Sequence, residues 1–460
     1  MKKQKILFVA AECSPFAKVG GLADVTGSLP KALKSLGADV SVILPYYGSI
    51  LIDKKNRKMI RKGVTVKFAG KKVKLDIWES RLPNSEVPIL LIDNKQYFSG
   101  EPYATEKTDE ATRFLFFSQA TAKTALLMKF GIAHCHDWHA SMVPLLLKGS
   151  KIKTILTIHN IAYQGIFNAD KINSLIGNKF KDKVNCMSIG IESADAVTTV
   201  SPNYAKEIIT SEFGFGLENL LKKRKNDLSG IINGIDPYQF NPETDEMIEK
   251  KYSLSTIQKK NFNKEQLQID CFGRSNRSIP VIGMVTRIAD QKGFDLIEKI
   301  LPKLMKSKLQ LIILGKGMKQ YEDLLKNVAK KHPNKVFVKT EFNERFAHKI
   351  YAGSDMFLMP SHFEPCGLGQ MIAMTYGSVP IVRGVGGLKD TVIPVGKNKA
   401  TGFVFNNNSP ESLRVEIEKA LNLFKNKNLW LVLQKNGMMK DFSWKISAQK
   451  YMKLYDKIDS

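Results

Sequence analysis

Ile6-Leu7-Phe8-Val9-Ala10-Ala11, followed by Lys18-Val19-Gly20-Gly21-Leu22, is the stretch whose reading decides the fold. The first run is apolar and predicts a buried strand. Beyond the paired glycines, Leu22, Val25, Leu29, Leu33 and Leu36 recur at steps of three and four, the spacing of a helix face. Pro30 inside that pattern predicts a kink or a restart. A strand, a glycine turn and a helix start gather backbone N–H groups and one lysine ammonium around a small space. Such a space suits a phosphate or a sugar hydroxyl. An ordinary βα turn that needs glycine for its backbone angles is the competing explanation.

Working outward, strands alternate with helices, the pattern of parallel α/β sheets. Apolar runs occur at 6–11, 40–44, 89–92, 155–158, 196–200 and 230–232. Near Asn233-Gly234-Ile235-Asp236-Pro237 the pattern stops, and about forty polar residues follow without a strong strand. A second series begins at 280–285 and continues at 309–314, 336–338, 356–359 and 379–382, with helical stretches such as 294–305 and 347–352 between. Two doubly wound halves with a hinge near 235–245 are expected. From Asp441-Phe442-Ser443-Trp444 onward the chain reads as an amphipathic helix carrying Ile446, Tyr451, Leu454 and Tyr455.

Composition narrows the class. A chain of 460 residues, 43% hydrophobic, can bury more than one large core. No run of about eighteen apolar residues appears, so no transmembrane helix is expected. The basic start Met1-Lys2-Lys3-Gln4-Lys5 precedes an apolar run too short for a signal peptide, with Glu12 close behind. It reads as the first strand of a cytoplasmic protein. Five widely spaced cysteines (Cys13, Cys135, Cys186, Cys271, Cys366) argue for reduced thiols. The net charge of +26 raises nucleic acid or an anionic substrate as partners. Its densest stretches, 54–74 and Lys222-Lys223-Arg224-Lys225, lack interleaved aromatic platforms and read as solvated surface, so neither nucleic acid nor a membrane is expected.

The chemistry-bearing residues fall at strand ends, where open α/β sheets bind ligands. His134-Cys135-His136-Asp137-Trp138-His139 and Thr157-Ile158-His159-Asn160 do so in the first half. In the second, Arg287 is followed by Gln291-Lys292-Gly293. Ser361-His362-Phe363-Glu364-Pro365-Cys366-Gly367-Leu368 follows one strand, and Arg383-Gly384-Val385-Gly386-Gly387-Leu388 another. Three histidines within six residues raise a metal site, but no cysteine pair supports it and they show no clear ligand spacing, so no metal is expected. Glu364 has a competing explanation as a helix cap, and His159 as a satisfied core histidine. Gly315-Lys316-Gly317 is a poor dinucleotide fingerprint, with Gln320 where a third glycine would stand.

Together these pieces resemble bacterial glycogen synthases and plant starch synthases, retaining glucosyltransferases of the GT-B fold. The resemblance spans the chain: Lys18 to Asp24, His136 to Ala140, Thr157 to Gly165, Asn233 to Asp236, Arg287 with Gln291 to Gly293, Glu364 to Leu368, Gly386 to Leu388, Thr401-Gly402-Phe403 and Phe442-Ser443-Trp444. It implies two facing Rossmann-like α/β domains with the active-site cleft between them. Residues 1–237 form the acceptor-side domain and 238–440 the donor-side domain, and 441–460 a helix crossing back to the first. It implies transfer of glucose from ADP-glucose, with retention, to the non-reducing end of glycogen or another α-1,4-glucan primer. No cofactor is implied, and the place is the cytoplasm, or the plastid stroma for a plastid-encoded chain. The alternative is a related transferase using another nucleotide sugar or a small acceptor.

The resemblance also assigns residues. His159, Glu364, Asp137, Lys18, Arg287 and Lys292 are the expected catalytic set. Donor binding falls to Lys18, Gly20, Gly21, Asp24, Asn233, Arg287, Lys292, Cys366, Gly367, Leu368, Gly386 and Gly387. Glu12 and His139 bind or orient the acceptor. Lys18, Arg287 and Lys292 would clamp the departing diphosphate, with domain closure completing the clamp and the amides around Val385-Gly386-Gly387 adding hydrogen bonds. Two positions depart from wider patterns: Ile372 stands where many GT-B transferases have a second glutamate, and Val385 where a small hydroxyl residue is common.

Overall fold

The computed structural model describes residues 5–103 and 109–459. The start that a signal peptide would need, residues 1–4, lies outside the described residues. The chain forms two compact units. One is Met1–Gly234 with Trp444–Ser460, and the other is Ile235–Ser443.

The first unit is built on a 9-stranded sheet. Its strands are β1 (Lys5–Val9), β2 (Asp39–Pro45), β3 (Lys58–Phe68), β4 (Lys71–Arg81), β5 (Pro88–Asp93), β6 (Ile132–His136) and β7 (Lys153–Ile158). After a small hairpin, β8 (Ile166–Asn168) with β9 (Lys183–Asn185), come β10 (Ala196–Thr199) and β11 (Leu228–Gly230). The order is β11-β10-β7-β6-β1-β2-β5-β4-β3. All pairs are parallel except β4 with β3 and β5. Burial of β1 from Ile6 onward and of all of β6 explains their near-continuous hydrophobicity. The basic stretch 54–74 forms most of the β3–β4 hairpin at the sheet edge, where exposed lysines keep an unpaired strand from recruiting another chain.

Helix α1 (Gly21–Ser35) buries Leu22, Val25, Leu29 and Leu33, as its periodicity predicts, whereas Leu36, expected on the same face, is the exposed C-cap; of the kink or restart expected at Pro30, no restart occurs. Pro30 is itself buried, and its missing N–H is outweighed by the apolar face on either side. The last helix, Trp444–Asp459, packs on α1 within the first unit. Its buried residues are Trp444, Ser447, Ala448, Tyr451 and Tyr455, whereas Ile446, expected inward, is exposed. Arg224 also departs from expectation. It is not a solvated member of its basic run but donates to the carbonyls of Ile191 and Ala194 and pairs with Asp227 at 3.0 Å.

The second unit holds a 6-stranded parallel sheet in the order β14-β13-β12-β15-β16-β17. Its strands are β12 (Val281–Val285), β13 (Gln310–Leu314), β14 (Val336–Lys339), β15 (Met356–Met359), β16 (Val379–Arg383) and β17 (Phe403–Phe405). The polar segment before it contains the helix Lys260–Phe272. Among the parallel strands of each sheet the order reverses once, between β1 and β6 and between β12 and β15. Connections leave such neighbours in opposite directions, so a crevice opens at their carboxyl ends.

Candidate active site

In the first unit, the loop after β1 is organised by Glu12, which is buried. Its Oε2 accepts the amides of Val19 at 2.8 Å and Gly20 at 2.7 Å. Its Oε1 accepts the Tyr103 hydroxyl, and its carbonyl accepts Thr26 Oγ1 at 2.6 Å. A carboxylate so engaged shapes the turn that carries Lys18. The Lys18 ammonium lies 2.6 Å from Asp24 Oδ1, with about a third of its side chain exposed.

The paired glycines are not there for backbone angles. Gly20 is extended at φ −139°, and Gly21 is not among the positive-φ glycines. A Cβ on Gly21 would meet nothing within 4 Å, and one on Gly20 only Glu12 Oε1 at 4.0 Å. No side chain caps the start of α1. The Gly20 amide is taken by Glu12, but the space beside the two α-carbons is open.

At the neighbouring strand end, Asp137 follows β6 in a left-handed conformation, φ 56°, which a non-glycine residue rarely adopts. Its Oδ1 accepts the amides of His159 at 2.7 Å and Asn160 at 3.3 Å, tying the end of β7 to the end of β6. Burial pushes its carboxyl up to about 7, against the pull of those two amides. His159 Nε2 meets His136 Nδ1 at 2.9 Å. Burial lowers His159 to about 3 and His136 well below the usual range, so both rings are neutral near pH 7. His139, also lowered to about 3 by burial, sits among Trp138, Phe114 and Tyr103, and its buried Nδ1 has no hydrogen-bond partner. His134 is structural. It bonds Tyr455 Oη at 2.8 Å and Thr157 Oγ1 at 2.6 Å. Asn233 is buried with Oδ1 unpartnered. Gly165 is required sterically, since a Cβ there would lie 2.2 Å from the Trp138 indole.

In the second unit, the loops after β12 and β15 are laced together. Lys292 Nζ lies 2.6 Å from Glu364 Oε2, both largely buried, and Ser361 Oγ donates to the same oxygen at 2.9 Å. Gln291 Nε2 donates to the Phe363 carbonyl at 3.2 Å, and the His362 amide to Gln291 O at 2.8 Å. Gly293, at φ 75°, permits this approach, because a Cβ would lie 2.2 Å from Pro360 O. Arg287 is exposed, touches only Gln291 at 3.5 Å, and has no carboxylate partner among the described residues. Glu364 does not cap the following helix, Gly369–Thr375, which has no side-chain cap.

The glycine pair after β16 serves packing. A Cβ on Gly386 would lie 1.9 Å from Glu364 O, and one on Gly387 2.2 Å from Cys366 O. The Gly387 amide donates to Glu364 O at 3.1 Å and Pro365 O at 3.2 Å, and the Val385 amide to Arg383 O at 2.9 Å. The Gly387 amide therefore holds the Glu364–Gly367 loop, and the Val385 amide is taken up within its own turn. Cys366 is buried, and Gly367, at φ 71°, packs on Gln370. Ile372 and Val385, the two departures, are both buried. Gly315 and Gly317 are likewise explained by contact, their Cβ positions falling 1.8 Å from Thr286 O and 1.9 Å from Ile288 O. Among the described residues no group of three or more His, Cys, Asp or Glu could hold a metal.

Sequence reasoning missed Tyr103, Thr26 and Ser361. Tyr103 is 91 residues from the Glu12 it contacts and belongs to no periodic run, so only the fold reveals it. Ser361 stands three residues before Glu364 and was within reach of the motif.

Two α/β units with reversed strand order and loaded carboxyl ends define a glycosyltransferase of the GT-B class. Residues 5–223 match the starch synthase catalytic domain, and residues 272–430 match glycosyl transferases group 1. The chain is 43% identical to the glycogen synthase of Geotalea daltonii over 98% of both chains. It is 40% identical to that of Thermosipho africanus over 98% of this chain and 99% of the other. The catalytic domain of starch synthase IV from Arabidopsis thaliana, solved with ADP and acarbose, superposes with a TM-score of 0.92 at 31% identity, covering 100% of each chain. A sucrose-phosphate synthase from Thermosynechococcus elongatus shares the fold at a TM-score of 0.64 and 17% identity, covering 99% of each chain. The chain belongs to the glycogen synthase family.

Proposed function

We propose that this protein elongates glycogen, or another α-1,4-glucan primer, by transferring glucose from ADP-glucose to the non-reducing end with retention, releasing ADP. The observation that carries the reading is the arrangement at the ends of β12 and β15. Arg287, a cation without a carboxylate partner among the described residues, stands near the buried pair Lys292–Glu364, in a chain similar along its length to an enzyme solved with ADP and acarbose.

The departing diphosphate carries two or more negative charges, and fixed cations lower the barrier to its release. Arg287 supplies one such cation on the second unit and Lys18 another on the first. Lys292 neutralises and aims Glu364, whose carboxylate accepts hydroxyls of the donor glucose, with Cys366, Gly367 and Leu368 shaping that loop. Gly386 and Gly387 hold the loop in place by packing. On the first unit, Gly20 and Gly21 leave room for close approach, and Asp24 aims Lys18. Neutral His159 presents its ring and carbonyl to the developing oxocarbenium without adding positive charge. Asp137 acts through the amides of His159 and Asn160. Glu12, His139 and Asn233 complete the sugar-facing polar groups, Glu12 chiefly by holding the Lys18 turn. Among the described residues no helix is long and apolar enough to cross a membrane, and the five cysteines form no disulfide. Both features support a cytoplasmic site of action.

A competition between ADP-glucose and UDP-glucose on a glycogen primer, run with and without chelator, tests the proposal. Incorporation from ADP-glucose, undiminished by chelator, is expected. Preference for UDP-glucose would overturn the donor. Activity restored only by a divalent metal would overturn the cation-based mechanism.

A further inference from the structure

We propose that His136 sets the tautomer of His159, leaving His159 with its proton on Nδ1 as a hydrogen-bond donor to a hydroxyl oxygen of the bound sugar. The tautomer follows from the geometry of the first unit alone; only the sugar contact rests on the proposed function.

Strand register brings the two rings together. β6 and β7 are parallel neighbours, with His136 opposite Thr157. Alternation along the strands puts His134 and His136 on one face, and Thr157 on one face with His159, which stands just past the end of β7. Two side-chain hydrogen bonds therefore recur with the same separation of 23 residues. His134 Nε2 meets Thr157 Oγ1 at 2.6 Å, and His136 Nδ1 meets His159 Nε2 at 2.9 Å. The His136 ring is stacked on His134, with centroids 4.4 Å apart, and on Phe8 at 5.1 Å. The His159 amide is held by Asp137 Oδ1 at 2.7 Å. Both members of the pair are thus fixed in place.

Proton counting decides the rest. A neutral imidazole carries one N–H and one bare nitrogen. Burial keeps both rings neutral near pH 7. One proton lies between the facing nitrogens, because two would collide and none would set lone pair against lone pair. Were that proton on His159, His136 would carry its own on Nε2. That atom is buried and has no hydrogen-bond partner. A sealed N–H without an acceptor is a rarer and costlier defect than an acceptor left unserved. The shared proton therefore belongs to His136 Nδ1, which donates to His159 Nε2. His159 then carries its proton on Nδ1, since the bond at Nε2 is the only one its ring makes among the described residues. The ring offers an N–H and no free lone pair, so it serves as a donor and not as a general base. His136 is a positioning residue that acts through it.

Long-range proton–nitrogen correlation spectra of the full chain, with labelled histidine rings, read the tautomer without substrate. Comparison with His159→Gln and His136→Phe assigns the two rings. Near pH 7 both should be protonated on Nδ1 and bare on Nε2. His136→Phe keeps the ring volume and the stacking but removes the donor. There His159 should move toward its Nε2–H form, and kcat/KM for ADP-glucose should fall about tenfold, the worth of one hydrogen bond, at an unchanged melting temperature. His136→Asn supplies an amide N–H near the same point, and should recover most of the activity and the Nδ1–H signature. A residue that only filled the core would rank the two variants the other way. Should His136→Phe not fold, His136→Ala takes its place, with the alanine expected to lose the activity that asparagine keeps. A native spectrum with His159 protonated on Nε2, or on both nitrogens, would overturn the tautomer. The expected native spectrum with unaltered kcat/KM in the donor-less variant would overturn the sugar contact and leave the tautomer. Failure of the proposed donor would not touch a spectrum read without it.

Discussion

Lys18 and Gly21 separate function from folding most sharply. The Lys18–Asp24 pair is partly exposed, and such pairs add little stability. Lys18→Gln should leave the melting temperature nearly unchanged while lowering kcat/KM for ADP-glucose about a hundredfold, comparable to removing one group that stabilises transition-state charge. Near-native kinetics at low donor concentration would reduce the lysine to a turn residue. Gly21→Ala is the complementary test. The new Cβ meets nothing within 4 Å and the backbone there is ordinary, so folding should be unaffected or improved by up to about 1 kcal/mol. Donor KM should nonetheless rise, because the methyl fills the space over the helix start. Unchanged KM would show that no ligand approaches that amide. Gly386 is the opposite case, at φ 45° and against the Glu364 carbonyl, where a substitution should damage folding first.

At the level of elements, the ends of β6 and β7 hold a buried imidazole cluster with a pH signature. Burial depresses His134, His139 and His159 from 6.5 to about 3, and His136 in the same direction. Between those values the unfolded chain binds protons that the folded one refuses, so stability falls as pH drops below about 6.5. Asp137, raised from 3.8 to about 7, works the other way over a similar window, one group against four. The urea midpoint of the first unit should therefore be lower at pH 5 than at pH 7.5, with net proton uptake on unfolding. A flat midpoint would mean that the rings are hydrated. The same neutrality has a functional side, since no imidazolium opposes positive charge developing on the sugar.

For the whole molecule, chain order and spatial order differ in one consequential place. The closing helix Trp444–Asp459 lies in the first unit, with Trp444, Tyr451 and Tyr455 in its core and Tyr455 bonded to His134. Removing residues 444–460 should destabilise the first unit by on the order of 5 kcal/mol or more, from lost aromatic burial and a stranded His134. The second unit, whose core draws on none of these residues, should keep its own unfolding transition. Two urea transitions, only one of them shifted, are the expected record. Equal shifts in both would contradict the division of the chain.

Most of the parallel strands, the α/β class and the strand-end positions of Lys18, Asp137, His159, Arg287 and Glu364 were legible in the sequence, whereas β3, β4, β6 and β17 were not among the apolar runs. Apolar periodicity and glycine placement are local properties, and a parallel sheet buries its strands on both faces. What the tertiary structure alone decided was partnership. It showed that Glu12 holds the Lys18 turn with help from Tyr103 and that Asp137 clasps the amides after β7. It showed Glu364 paired with Lys292 rather than capping a helix, and the Gly386-Gly387 pair serving packing. It also continued α1 through Pro30 without a restart and turned Ile446 outward. Hydrogen bonds between residues tens of positions apart leave no period in the sequence. They arise where neighbouring strands bring separate loops to one sheet edge, β6 beside β7 for Asp137 and β12 beside β15 for Lys292 with Glu364.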